Sequence, residues 1–149
     1  MSERIPRQQI YQLQPALANA LLSLDKAAGD SHFAPLLVHL VKLRASQLNG
    51  CAFCQRRHAE EARSDGEEQL RLDLLAAWQE VDGLFNERER AALLWTEILT
   101  QVATAPVHDS QYAAIAEHYS EKEIVDLTSL IIAINGWNRI AIAFHLQPI

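Results

Sequence analysis

Apolar residues recur at three- and four-residue spacings along almost the whole chain, and no segment sustains the alternation with β-branched enrichment that a strand needs. That pattern predicts an all-α fold. Prolines, glycines and capping residues divide it into roughly six or seven helices. Pro15 suits a first helical position and Gly29 closes a helix over 15–28 that turns Leu21, Leu22 and Leu24 toward the core. The next runs from near Ser31, with Pro35 in its first turn, to Asn49-Gly50, a dipeptide that favours a left-handed or turn conformation. A helix from Cys51 to Arg63 ends at Ser64-Asp65-Gly66, and Asp65 is the candidate cap of a helix from Glu67 to Trp78. Asn86 with Glu89, and Ser120 with Glu123, read as capping pairs opening helices to Thr104 and to His145, with a short helix from His108 or Asp109 to Tyr119 between them.

The chain has 149 residues, enough for one compact domain that buries roughly 70% of its unfolded surface, with no room for a second. Its formal net charge is −6 and it has no basic block, which argues against a nucleic-acid partner. The most apolar stretch, Ile124 to Phe144, is interrupted by Asp126, Asn135, Asn138 and Arg139, too polar to span a bilayer. No signal pattern opens the chain, so a cytoplasmic location is expected. Two cysteines cannot build the disulfide framework of a small secreted fold, so local chemistry is their expected role.

The run Asn49-Gly50-Cys51-Ala52-Phe53-Cys54-Gln55-Arg56-Arg57-His58 carries that chemistry. In a helix starting at Cys51, steps of about 100° bring Cys51, Cys54 and His58 within about 60° on one face. Free N–H groups and the positive end of the dipole at a helix start can lower a thiol pKa from about 8.5 into the range of about 3.5–7.5. His58 is placed to accept the Cys54 proton or hold the thiolate in an ion pair, and Cys51 to close a disulfide on oxidised Cys54. Two other readings use the same residues. Cysteine is often an inert core residue, and Cys-x2-Cys plus His offers three zinc ligands, although no fourth is evident and no metal is expected.

The longer string Ser46-Gln47-x-Asn49-Gly50-Cys51-x2-Cys54-x3-His58, with Leu40 to Arg44 before it and Glu61-Ala62-Arg63 after it, resembles the signature of the alkylhydroperoxidase D (AhpD) branch of the carboxymuconolactone decarboxylase family. Leu74 to Trp78, Phe85 to Leu93 and Ile134 to Ala141 extend the resemblance. It implies a helical domain assembled into trimers or hexamers, in which Cys54 attacks a peroxide, Cys51 resolves it and His58 belongs to a proton relay. It further implies reduction by an external dithiol, of a lipoamide or thioredoxin-like type, electron transfer to a peroxiredoxin, and no bound cofactor. The relay glutamate of the family stands twelve residues before the first cysteine, where this chain has His39, and Phe53 replaces a histidine found in some peroxidatic members. Histidine relays protons near neutral pH but supplies no fixed negative charge, so His39 enters as a candidate relay member.

The expected activity is therefore thiol-dependent reduction of hydroperoxides or disulfides. A decarboxylase of the carboxymuconolactone type, which does not require the cysteine pair, and a redox-sensing oligomer without turnover are the alternatives. Ser46 and Asn49 read as helix-end residues, and Trp137, Asn138 and Arg139 as core or subunit contacts on a final helix apolar nearly all round. That surplus favours a closed homo-oligomer using part of this helix or the Trp78 region.

Overall fold

The computed structural model describes residues 3–149. Among them are eight α-helices and no strand: α1 (Arg7–Leu13), α2 (Pro15–Ala28), α3 (Pro35–Leu48), α4 (Ala52–Ser64), α5 (Gln69–Leu74), α6 (Glu87–Thr100), α7 (Asp109–Ala116) and α8 (Glu121–Ala143). The all-α expectation holds, with one helix more than expected. The addition is α1, which follows Pro6 and buries only Ile10. Seven residues make too short a stretch for apolar periodicity to register.

Local chemistry sets most boundaries. Asn86 and Ser120 each accept the N–H three residues on, and Glu89 and Glu123 return the bond, so both expected capping boxes form. Asp65 does not cap the following helix. It closes α4, its carboxylate goes to His39, and α5 starts behind Glu68 without a side-chain cap before passing into a 3-10 turn at Leu75–Ala77.

α3 and α8 are the central helices: α3 packs on α4, α6 and α8, and α8 also packs on α2 and α6. One core cluster joins Leu37 and Val41 of α3 to Trp95 of α6 and to Leu127, Leu130 and Ile131 of α8. A second joins Leu40 and Leu43 to Ala62, Leu72, Leu75, Phe85, Leu93 and Trp78. Trp78 is thus an internal core residue of the chain. Leu22 is also corrected: it is exposed, whereas Leu21 of the same helix lies directly over Gly136 of α8.

The turn between α3 and α4 is the part of the fold that builds the site. Gly50 takes φ +68°, the Cys51 N–H reaches the Ser46 carbonyl at 3.0 Å, and the Gly50 N–H reaches Gln47 at 3.2 Å. These are the paired bonds of a Schellman ending. Cys51 therefore finishes one helix and caps the next. Gly50→Ala is expected to cost about 1–2 kcal/mol, because a Cβ is disfavoured in the left-handed region; urea unfolding of the oxidised protein checks it.

Candidate redox site

Cys51 is the N-cap of α4 and Cys54 lies three residues on, within its first turn. The two are joined as a disulfide with Cα atoms 5.3 Å apart. Helix α4 starts one residue later than the sequence suggests, so the Cys54 N–H donates to Cys51 Sγ at 3.2 Å, and the backbone donor serves the first sulfur rather than the second. Phe53, Ala141 and Leu146 pack around the pair, leaving Cys51 2% and Cys54 4% exposed.

His58 lies just over one turn beyond Cys54 and is buried. Burial drives its pKa down to about 4, with Lys42 and Arg57 pushing the same way and Glu61 opposing them. The ring is neutral at neutral pH in this disulfide state. Its Nδ1 is 3.2 Å from Glu61 Oε2. Burial raises the Glu61 carboxyl, but bonds from Arg57 and His58 outweigh it and hold the group below its ordinary value. An ionised Glu61 only accepts, so the proton of the neutral ring belongs on Nδ1 and Nε2 keeps its lone pair.

The sign of the resulting pH dependence follows. Unfolded chains bind a proton on this imidazole below an ordinary pKa of about 6.5, whereas the folded ring resists it down to about 4. The stabilisation is complete above the unfolded value and is lost as pH falls toward the folded one. Oxidised protein is expected to lose roughly 2 kcal/mol from this group between about pH 7 and about pH 5, a window above carboxylate titration. Denaturant midpoints across that window should show a shallower dependence in His58→Gln.

His39 is not brought to this site. It does not line the cavity that Cys54 and His58 share; its Nε2 lies 2.6 Å from Asp65 Oδ2, and its buried Nδ1 has no partner among the described residues. The ionisable side chain of α3 that faces His58 is Lys42, about one turn further on. The carboxylate beside His58 is Glu61, from its own helix. An i,i+3 spacing from His58 was the available signal for it.

Cys54, but not Cys51, lines a cavity of about 310 Å³. Its other walls come from distant parts of the chain: Arg7 and Tyr11 of α1, Leu22 and Asp25 of α2, and Ile134 and Trp137 of α8. Tyr11 meets Trp137 edge-on with centroids 6.4 Å apart, and the Trp137 indole N–H donates to Asp25 Oδ2 at 3.2 Å. Trp137 is therefore a cavity wall.

Asn138 is fully buried behind the cysteine turn. It donates to Ser46 Oγ at 3.0 Å and accepts from Asn49 Nδ2 at 2.9 Å, while Asn49 also donates to Asn135 at 3.0 Å. These amides tie α8 to the turn that carries Cys51. Among the described residues no three His, Cys, Asp or Glu side chains converge to hold a metal ion. No helix among them is long and apolar enough to cross a membrane.

The sequence pattern of the carboxymuconolactone decarboxylase family matches residues 15–97. The uncharacterised protein YdfG of Bacillus subtilis is 38% identical over 143 residues, covering 96% of this chain and 95% of its own length. The crystal structure of a protein of unknown function from Agrobacterium tumefaciens, with a suggested AhpD-type role in antioxidant defence, superimposes with a TM-score of 0.87 at 36% identity, covering 98% of this chain and 97% of that one. The debrominase Bmp8, solved with 2,3,4-tribromopyrrole, shares the fold with a TM-score of 0.74 at 20% identity, covering 99% of this chain and 90% of that one. The match spans more than half the chain and takes in the whole cysteine turn, so this protein is an AhpD-like member of the carboxymuconolactone decarboxylase family.

Proposed function

We propose that the protein is a thiol-dependent peroxidase that reduces organic hydroperoxides through a Cys51–Cys54 dithiol and disulfide cycle. The observation that carries this reading is that Cys54, bonded to Cys51 behind it, lines a cavity together with His58 and Glu61. Because the fold also serves a debrominase, the reaction class rests on these side chains and not on the architecture.

In the reduced protein His58 Nε2 accepts the Cys54 thiol proton, and the negative sulfur raises the basicity of the adjacent ring. Cys54 Sγ attacks the peroxide, the O–O bond breaks, and the sulfur becomes sulfenic acid. The departing alkoxide takes the proton from His58 and leaves as an alcohol. The Cys51 thiol then displaces the hydroxyl of the sulfenic acid, forming the disulfide and releasing water. An external dithiol of the lipoamide or thioredoxin-like type returns two electrons and two protons, becoming a disulfide itself. Glu61 holds the imidazole in the tautomer that this path needs. In place of a His39 relay, the carboxylate comes from within α4.

Continuous consumption of cumene hydroperoxide with excess dithiol is the test. One slow oxidation of the pair without turnover would replace this reading with a redox sensor, and conversion of a lactone acid would replace it with a decarboxylase. Passing electrons to a peroxiredoxin and assembly as a closed homo-oligomer belong to the same proposal. Val125 and Ile132 on the outer side of α8, 63% and 55% exposed, support assembly, and sedimentation reads it.

A further inference from the structure

Three cationic side chains face the cavity, Arg7, Lys42 and Arg57, against two carboxylates, Asp25 and Glu61. Glu61 is fully engaged and Asp25 partly so: among the described residues Asp25 Oδ1 has no partner, and neither oxygen lies within 4.0 Å of Arg7 or Lys42. Glu61 accepts from Arg57 at 3.0 Å and faces His58 at 3.2 Å, and Asp25 Oδ2 accepts from Trp137. Arg57 is therefore committed as well. Neither Arg7 nor Lys42 has a carboxylate within 4.0 Å among the described residues.

Lys42 is the more telling of the two. It is half-buried on α3 and lines the cavity beside His58, where its charge adds to burial, the larger cause, in lowering the imidazole. An ammonium so placed has given up part of its water without gaining a counter-ion. Arg7 is exposed at the entrance, its guanidinium 5.4 Å from the Phe53 ring centroid. Much of the remaining wall is apolar or aromatic, and a volume of about 310 Å³ suits a small organic body.

Resting on the peroxidase reading, we propose that the substrate is a small organic hydroperoxide with a compact apolar body and one carboxylate. Lys42 holds the carboxylate, Arg7 attracts it at the entrance, and the peroxide end meets Cys54. The carboxylate takes no part in the chemistry and leaves on the alcohol product. An uncharged hydroperoxide fills the same apolar walls but leaves Lys42 without a counter-ion.

The test uses a hydroperoxide of an aromatic acid and its methyl ester, which differ by one charge, with excess dithiothreitol as reductant. Wild type is expected to favour the acid by about tenfold in kcat/KM. Lys42→Met should bring that ratio close to one, and Arg7→Gln should lower it by a smaller factor because solvent screens the exposed guanidinium. The wild-type preference should also shrink as salt is added. Reading the ratio removes any effect of Lys42 on His58, since that effect is common to both substrates.

A second measurement does not need turnover. Calorimetric titration of the oxidised protein with the corresponding hydroxy acid and its ester should show the same preference, lost in Lys42→Met. Preferential acid binding without reduction of either hydroperoxide would leave the anion site standing and remove the peroxidase reading. Equal binding of acid and ester, or a preference that neither substitution nor salt alters, would overturn the proposal whatever the turnover. Should Lys42→Met fail to fold, Arg7→Gln and the salt dependence of the wild-type ratio decide the matter on the same terms.

Discussion

Cys54→Ser is expected to lower steady-state hydroperoxide reduction by roughly a thousandfold or more, because a hydroxyl beside a weak base is not ionised at neutral pH. Cys51→Ser should behave differently. Cys54 can still attack once, but its sulfenic acid has no neighbouring thiol to condense with and is open to a second peroxide, giving sulfinic acid. Mass spectrometry after peroxide treatment should find two added oxygens on Cys54 in that variant and an intact disulfide in wild type. The assignment depends on which sulfur meets the cavity: Cys54 lines it, and Cys51 sits behind with its sulfur hydrogen-bonded by the helix backbone. Near-normal turnover by Cys54→Ser would remove the mechanism. Two added oxygens on Cys51 after peroxide treatment of Cys54→Ser, with Cys54 left unoxidised in Cys51→Ser, would reverse the two roles.

The largest effect on stability is expected at Asn138. Its side chain is fully buried and satisfies Ser46 and Asn49 together, so Asn138→Ala opens a void and leaves polar groups short of partners. The expected loss is about 2–4 kcal/mol, or roughly 6–12 °C in Tm for a chain of this size. Ser46 keeps its bond to the Lys42 carbonyl and Asn49 keeps Asn135, which limits the damage. The consequence reaches the site through the backbone: the Ser46 carbonyl holds the Cys51 N–H, so amide exchange at Gly50 and Cys51 should quicken in the variant. Unchanged exchange there, with the expected drop in Tm, would mean that the turn stands without the amide cluster.

Helix existence was legible wherever the signal was local. Pro15 and the pairs Asn86 with Glu89 and Ser120 with Glu123 act within a few residues of themselves, and α2, α6 and α8 begin where they indicate. Helix α3, by contrast, begins at Pro35 itself, four residues after the expected Ser31, because Gly29–Ser31 forms a separate 3-10 turn. The proximity of Cys51, Cys54 and His58 was legible for the same reason, since one helix face brings them together without help from the rest of the chain. The short α1 and the break in the region after α4 were not. α1 has one buried residue, and Asp65 was drawn to His39 instead of to the next helix start. A side chain with two possible partners is assigned by packing, not by spacing.

The same division separates the cysteine pair from what surrounds it. By itself the order of residues determined an all-helical chain, a left-handed or turn break at Asn49-Gly50 before the cysteine helix, and a thiol pair with an imidazole one turn away, because hydrogen bonds and helical repeat fix these over four or five positions. Only the tertiary structure decided that Glu61 and not His39 stands beside His58, that Trp137 closes a cavity, and that Asn138 fastens the turn from the far end of the chain. Those outcomes depend on the angle and register at which α1, α2, α3 and α8 meet, and these are set by the fit of many apolar surfaces at once.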